Sequence, residues 1–142
     1  MSASRQFCTF YLDGFFFGVE VDKVQEVIRH QPTTPVPLAS EVIGGLINLR
    51  GQIVAAIDLR RRLELPARAT GETPMNVVVR SDDGAVSLLV DEIGDVVEVE
   101  EQDFERPPDT LSGTGKGLIR GAFKMRERLL LLLDTEQALK AA

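Results

Sequence analysis

Cysteine, histidine and tryptophan are nearly absent: Cys8 and His30 stand alone and there is no Trp in 142 residues. One Cys and one His cannot build a disulfide framework or a zinc site of several Cys and His ligands within one chain. Both scarcities agree with a reducing compartment. Long apolar runs are missing too. Stretches such as 129–133 and 46–49 are far shorter than the roughly 20 residues that cross a bilayer. Residues 1–6 are polar and lead straight into Phe7 and Phe10, without the charged start, apolar stretch and small-residue cleavage site of an export signal. Positive charge is also in deficit. The net charge of -6 and sequence pI near 4.8 give an average field that repels nucleic-acid phosphates, which favours a protein or peptide partner.

What is present is strand chemistry. Aromatic and β-branched residues fill positions 7–21, interrupted at Asp13-Gly14, a dipeptide suited to a tight hairpin turn. Asp22 suits a helix N-cap, with Val24, Val27 and Ile28 three and four apart on one face of a short helix and Glu26 off that face. Pro32, Pro35 and Pro37 forbid helix and favour an extended edge or connection. Residues 40–43 predict a single helical turn stopped by Gly44-Gly45.

A second hairpin is predicted over residues 46–57, turning at Arg50-Gly51. Leu59 and Leu63, four apart, mark a brief helix after it. Residues 64–74 read as loop, and residues 76–80 and 85–90 as a third hairpin about Ser81-Asp82-Asp83-Gly84. Val96, Val97 and Val99 continue the strand pattern. Pro107-Pro108 and several glycines make residues 101–117 a surface loop. A last strand pair spans 117–123 and 128–133, and Asp134 begins a short terminal helix. The unalternating leucines at 129–133 suit a strand covered on both faces. No internal repeat is visible. Many short strands with close turns and no long crossover helix predict an all-β barrel or sandwich.

Catalytic readings are weak. His30 sits beside Arg29 ahead of the proline-rich connection, where a solvated loop histidine is the plainer reading, and Cys8 lies among core aromatics. Gly113-Thr114-Gly115-Lys116-Gly117 lacks the Ser or Thr after Lys, and the earlier glycine, that a phosphate-binding P-loop needs. Asp91, Glu92, Asp95, Glu98, Glu100 and Glu101 read as a solvated acidic face, and Arg60-Arg61-Arg62 as a helix surface facing an acidic partner. A small barrel binding an oligonucleotide is disfavoured by acidity and by 6% aromatics.

One stretch is specific. Asn48-Leu49-Arg50-Gly51, followed by a strand and then Asp58-Leu59-Arg60, resembles the signature of the CheW-like domain. Phe17-Gly18-Val19, Val24-Gln25-Glu26-Val27, Leu89-Val90-Asp91 and Leu118-Ile119-Arg120-Gly121 resemble further blocks of that family in the same order. The resemblance covers residues 5–139, taken as one CheW-like domain.

It implies two interleaved five-stranded SH3-like barrels sharing a core, with short helices, no active site and no cofactor. It also implies a cytoplasmic adaptor recruited to receptor arrays. Its partners would be the regulatory domain of the histidine kinase CheA and the helical cytoplasmic tip of a chemoreceptor, in flagellar chemotaxis or in a pilus or developmental pathway. Carried over by matching block, Val24, Glu26, Gly45, Arg50, Ile93 and Val96 are the expected receptor contacts, with Met75 added. Arg50 is expected to use its planar fork on a turn or carboxylate at the groove between the barrels. No residue is assigned to the kinase contact, which shares no short motif.

Overall fold

A computed structural model describes residues 4–37, 41–69, 71–82, 84–106 and 117–140. The predicted first hairpin is there: β1 (Ser4–Leu12) pairs antiparallel with β2 (Phe15–Glu20). Its turn residues Asp13 and Gly14 have φ of 48° and 82°, the positive pair that a two-residue type I′ turn requires.

The expected helix after Asp22 is not there. A 3-10 turn (Val21–Lys23) leads into strand β3 (Val24–Ile28). Burial along β3 alternates, with Val24, Glu26 and Ile28 turned inward and Gln25 and Val27 outward. Because the middle inward position carries Glu26, the apolar letters fall at 24, 27 and 28 and imitate helical spacing. Five residues rich in β-branched side chains cannot sustain a helix against sheet pairing.

β4 (Ile43–Leu49) and β5 (Gln52–Asp58) form the second hairpin. Arg50 and Gly51 turn it at φ 53° and 88°, and Asn48 Oδ1 accepts the Gly51 N–H at 2.8 Å. The helical turn expected over 40–43 gives way to β4 at Ile43, and Ser40 lies outside the described residues. Helix α1 (Leu59–Arg62) is capped by Asp58, whose carboxylate accepts from the N–H groups of Arg60 and Arg61.

β6 (Met75–Ser81) and β7 (Gly84–Val90) are the third hairpin, followed by β8 (Glu92–Glu100). The stretch expected to be loop holds a 3-10 turn (Glu101–Asp103) and a two-residue strand β9 (Phe104–Glu105) on the edge of β10 (Ile119–Lys124). Pro107-Pro108 and Gly113 to Lys116 lie outside the described residues. β11 (Leu129–Leu133) and helix α2 (Thr135–Leu139), capped by Asp134, end the fold as predicted.

The strands make two sheets, in the orders β8-β1-β2-β11-β10-β9 and β3-β6-β7-β5-β4. The expected all-β class holds, with β9 as a sixth member of the first sheet. The second sheet is inserted in sequence between β2 and β8, so the two are interleaved. Each contains a parallel pair, β2 with β11 and β5 with β7, reached through other strands rather than through a crossover helix.

Each sheet curls toward closure. Thr34, just past β3, exchanges two 2.8 Å backbone bonds with Leu46 on the opposite edge strand. In the first sheet the edge strands β8 and β9 are joined by only the 3-10 turn. Closure protects edges that would otherwise recruit foreign strands.

Three apolar clusters follow. Phe7, Phe16, Val99, Phe123, Leu130 and Leu132 belong only to the first barrel, and Ile47, Leu49, Val54, Ala56, Val78 and Leu89 only to the second. The largest takes side chains from both, including Phe10, Phe17, Leu131 and Leu133 on one side and Ile57, Val77, Val79 and Leu88 on the other. From Leu130 to Leu133 the run is covered on both faces, alternate leucines serving the first barrel's interior and the shared wall, while Leu129 at its start is exposed.

Candidate partner-docking site

Glu26 and Arg50, singled out from the sequence, meet. Arg50 Nη1 and Nη2 donate to Glu26 Oε2 and Oε1 at 2.6 and 2.8 Å, a two-point fork linking β3 to the β4–β5 turn across the seam of the second barrel. The guanidinium remains 75% exposed while the Glu26 side chain is 19% exposed. Arg50 holds the Glu26 carboxyl below the usual carboxylate range, chiefly through that hydrogen bond.

Val24, Met75 and Ile93 are half-buried and pack against the shared core from β3, β6 and β8. The Ile93 N–H points at Met75 Sδ at 3.4 Å, so the second and first barrels touch at this pair. Val96, further along β8, is 57% exposed, and Val27 on β3, expected on one helix face with Val24 and Ile28, is 46% exposed. These are apolar side chains without apolar cover.

Gly45 has a different place. It is buried at φ +150°, and a Cβ there would sit 2.5 Å from Thr33 Cγ2 and from the Thr34 carbonyl oxygen. It offers no surface of its own. Its role is to let the segment after β3 close over β4, in a conformation that favours glycine.

The largest omission from the sequence reading is an ion network at the passage from β7 to β8. Asp91 accepts from Arg60 Nε at 2.8 Å and Arg60 Nη2 at 2.5 Å, from Arg68 Nε at 3.1 Å, and from the Asp13 N–H at 2.8 Å. The Arg60 and Arg68 side chains are each 11% exposed. Arg60 is therefore not a helix-surface cation awaiting an acidic partner, and Asp91 does not share the solvated face occupied by Glu92, Asp95 and Glu98. Burial raises the Asp91 pKa, but the arginine and backbone donors together bring it below its ordinary value. The signal was present in two blocks, Asp58-Leu59-Arg60 and Leu89-Val90-Asp91, that each follow a buried strand with a charge; adjacency of their ends could not be read from either alone.

The residues of the weaker catalytic readings stay apart. His30 is exposed, and Cys8 is half-buried, its thiol pushed up by burial. Among the described residues no group of three His, Cys, Asp or Glu is placed to hold a metal ion. A cavity of about 500 Å³ opens beside the ion network, lined by Tyr11, Arg68, Glu72, Thr73, Asp91 and Glu92.

The profile of the CheW-like domain matches residues 6–142. The chain belongs to the CheW-like family. The family is one of chemotaxis coupling scaffolds, and that is the class of this chain. It is 30% identical to the chemotaxis protein CheW of Bacillus subtilis, over 98% of this chain and 89% of that one. With the CheW of Treponema pallidum it shares 28% identity over 91% of this chain and 78% of the relative. The crystal structure of the scaffolding protein TtCheW from Thermoanaerobacter tengcongensis superposes with a TM-score of 0.82 at 25% identity, covering 93% and 90% of the two chains. The CheW-like two-barrel architecture therefore accounts for the interleaved sheets and the shared core. No helix among the described residues is long and apolar enough to cross a membrane.

Proposed function

We propose that this CheW-like chain is a non-catalytic adaptor that holds the helical cytoplasmic tip of a chemoreceptor against the regulatory domain of the histidine kinase CheA, without a cofactor and at receptor arrays in the cytoplasm. The observation that carries this reading is the Glu26–Arg50 fork, its arginine open to solvent, on the strand that carries half-buried Val24 of the shared core. A solvent-washed ion pair contributes little to stability, so its geometry is better explained by recognition. Arg50 spends two of its donors on Glu26, and the remainder face water, where a carboxylate of a partner helix can take them.

Helix-in-groove docking needs an apolar stripe at helical spacing met by apolar side chains, with charges fixing register. Val24, Met75, Ile93 and Val96 supply the first, and Glu26 and Arg50 the second. Gly45 acts on the groove through the chain closure it permits.

The test separates the partners. Immobilised receptor-tip hairpin and isolated CheA regulatory domain are each titrated with the wild-type chain and with Arg50→Ala and Val96→Asp variants. Retention of wild type on both partners, with receptor affinity reduced in the variants, is expected. Failure of wild type to bind either partner sinks the adaptor reading.

A further inference from the structure

We propose that Asp91 is the positioning residue for the Met75–Ile93 part of the groove; the inference rests on the docking reading above and adds how that surface is held. Asp91 is the last residue before β8, two positions ahead of Ile93, and Arg68 belongs to the loop that delivers Met75 at the start of β6. One carboxylate thus fastens three separate pieces of chain. Arg60 brings α1, Arg68 brings the loop before Met75, and the Asp13 N–H brings the β1–β2 turn of the other barrel.

The ties around it are mutually reinforcing. Arg60 Nη1 also donates to the Pro66 carbonyl at 2.7 Å, pinning the same loop a second time. The Asp91 N–H donates to the Tyr11 carbonyl at 3.0 Å, so its backbone is held by β1 while its side chain holds the loop. Asp58 Oδ2 lies 4.0 Å from Arg68 Nη1. A packed apolar core resists volume change, but hydrophobic attraction is not directional, and Met75 has a flexible, adaptable side chain. The fork on Asp91 supplies the direction that keeps Met75 Sδ on the Ile93 N–H.

The chain contains three methionines, so ¹³C-methyl methionine labelling of the full protein reads this joint directly. Met75 reports the seam. Met125, which packs on the first barrel's own core, reports whether that barrel is folded. In Asp91→Asn the Met75 methyl signal is expected to shift or double while Met125 keeps its folded position, and the Kd for a chemoreceptor-tip hairpin is expected to rise at least about fivefold, a change that loss of stability alone does not produce in a folded protein. Arg60→Lys keeps the charge but replaces the fork by a point donor; it is expected to move Met75 in the same sense, and it decides the matter if Asp91→Asn fails to fold. A Met75 signal unmoved in the folded variants overturns the tie. A Met75 signal that moves while the Kd stays at the wild-type value overturns the positioning role, because docking then does not depend on the joint. Wild-type protein that does not bind the hairpin at all, with Met75 still displaced by Asp91→Asn, sinks the docking reading instead and leaves the tie standing.

Discussion

The first barrel fills its interior with rings and the second with branched aliphatics. All seven Phe and the single Tyr of the chain fall on β1, β2, β9 and β10 of the first sheet. There Phe7 and Phe123 lie 5.3 Å apart, and Phe104 meets Phe123 edge-on at the same separation. Arginines cover this interior: Arg5 lies 5.1 Å from the Phe7 ring centre and Arg128 lies 3.7 Å from that of Phe16, contacts that add cation–π attraction to burial. The second barrel has no ring to cover. Its core is Ile47, Leu49, Val54, Ala56, Val78 and Leu89, with a buried polar pair where Ser87 Oγ donates to Asn76 Oδ1 at 2.9 Å. Arg50, on its β4–β5 turn, reaches outward to Glu26. The same small-barrel topology can thus lay a cation over its rings, as with Arg128, or leave one on an exposed turn, as with Arg50.

The contrast breaks most visibly at the ring cluster. Phe123→Ala removes a fully buried ring that two other rings and Arg5 rest on, and should cost about 3–5 kcal/mol in urea unfolding. A loss under about 1 kcal/mol would mean that the aromatic barrel collapses around the gap and is no stiffer than its partner.

The second barrel's polar pair sharpens the comparison from the other side. Asn76 Nδ2 is buried without a hydrogen-bond partner, so the amide depends on Ser87. Ser87→Ala should destabilise by about 1–3 kcal/mol, and Ser87→Ala with Asn76→Leu should recover most of that, because replacing both partners of a buried hydrogen bond by apolar groups is nearly neutral. Chemical denaturation of the two variants side by side checks it; a double variant no better than the single one shows that the pair fixes strand register as well as satisfying itself.

These differences were only partly legible in the sequence. Hairpins were readable because Asp13-Gly14 and Arg50-Gly51 announce their positive-φ turns locally, and the terminal helix because Asp134 caps it, though the same signal at Asp22 announced a helix that is not there. The leucine run announced a two-faced strand. β3 was misread because Glu26 occupies an inward position and erased the period-2 pattern. The fork between Glu26 and Arg50 joins positions 24 apart in sequence, and the Asp91 network joins Asp13, Arg60, Arg68 and Asp91 from four separate segments. Such pairings depend on how sheets close, and no local spacing encodes closure. β9 was missed because two residues next to a proline-rich stretch carry no periodicity at all.

A gentler probe of the aliphatic barrel is Ile47→Val. It deletes one methylene from a side chain 1% exposed and should cost about 0.5–1.5 kcal/mol, less than any ring truncation in the first barrel. If urea titration returned a loss as large as that of Phe123→Ala, the two interiors would have to be regarded as equally rigid.

The smallest effect on stability is expected at the fork, and its smallness is informative. Ala at position 50 meets the same φ of 53° as Arg, so Arg50→Ala leaves the turn's backbone strain essentially unchanged and removes only the pair. The Glu26 carboxyl is depressed by Arg50, so whatever the pair contributes is present above the unfolded value of about 4.3 and disappears as pH falls through the folded value. Thermal midpoints of wild type and Arg50→Ala should therefore differ slightly near neutral pH, draw together as the solution is acidified below about pH 4, and also draw together as added salt screens so exposed a cation. Receptor-tip binding should weaken in the same variant at neutral pH, and Arg50→Lys should restore charge without the fork and recover it only in part. A large loss of midpoint in Arg50→Ala, independent of salt and pH, would assign the fork to holding the second barrel shut, and its exposure would then have no bearing on recognition.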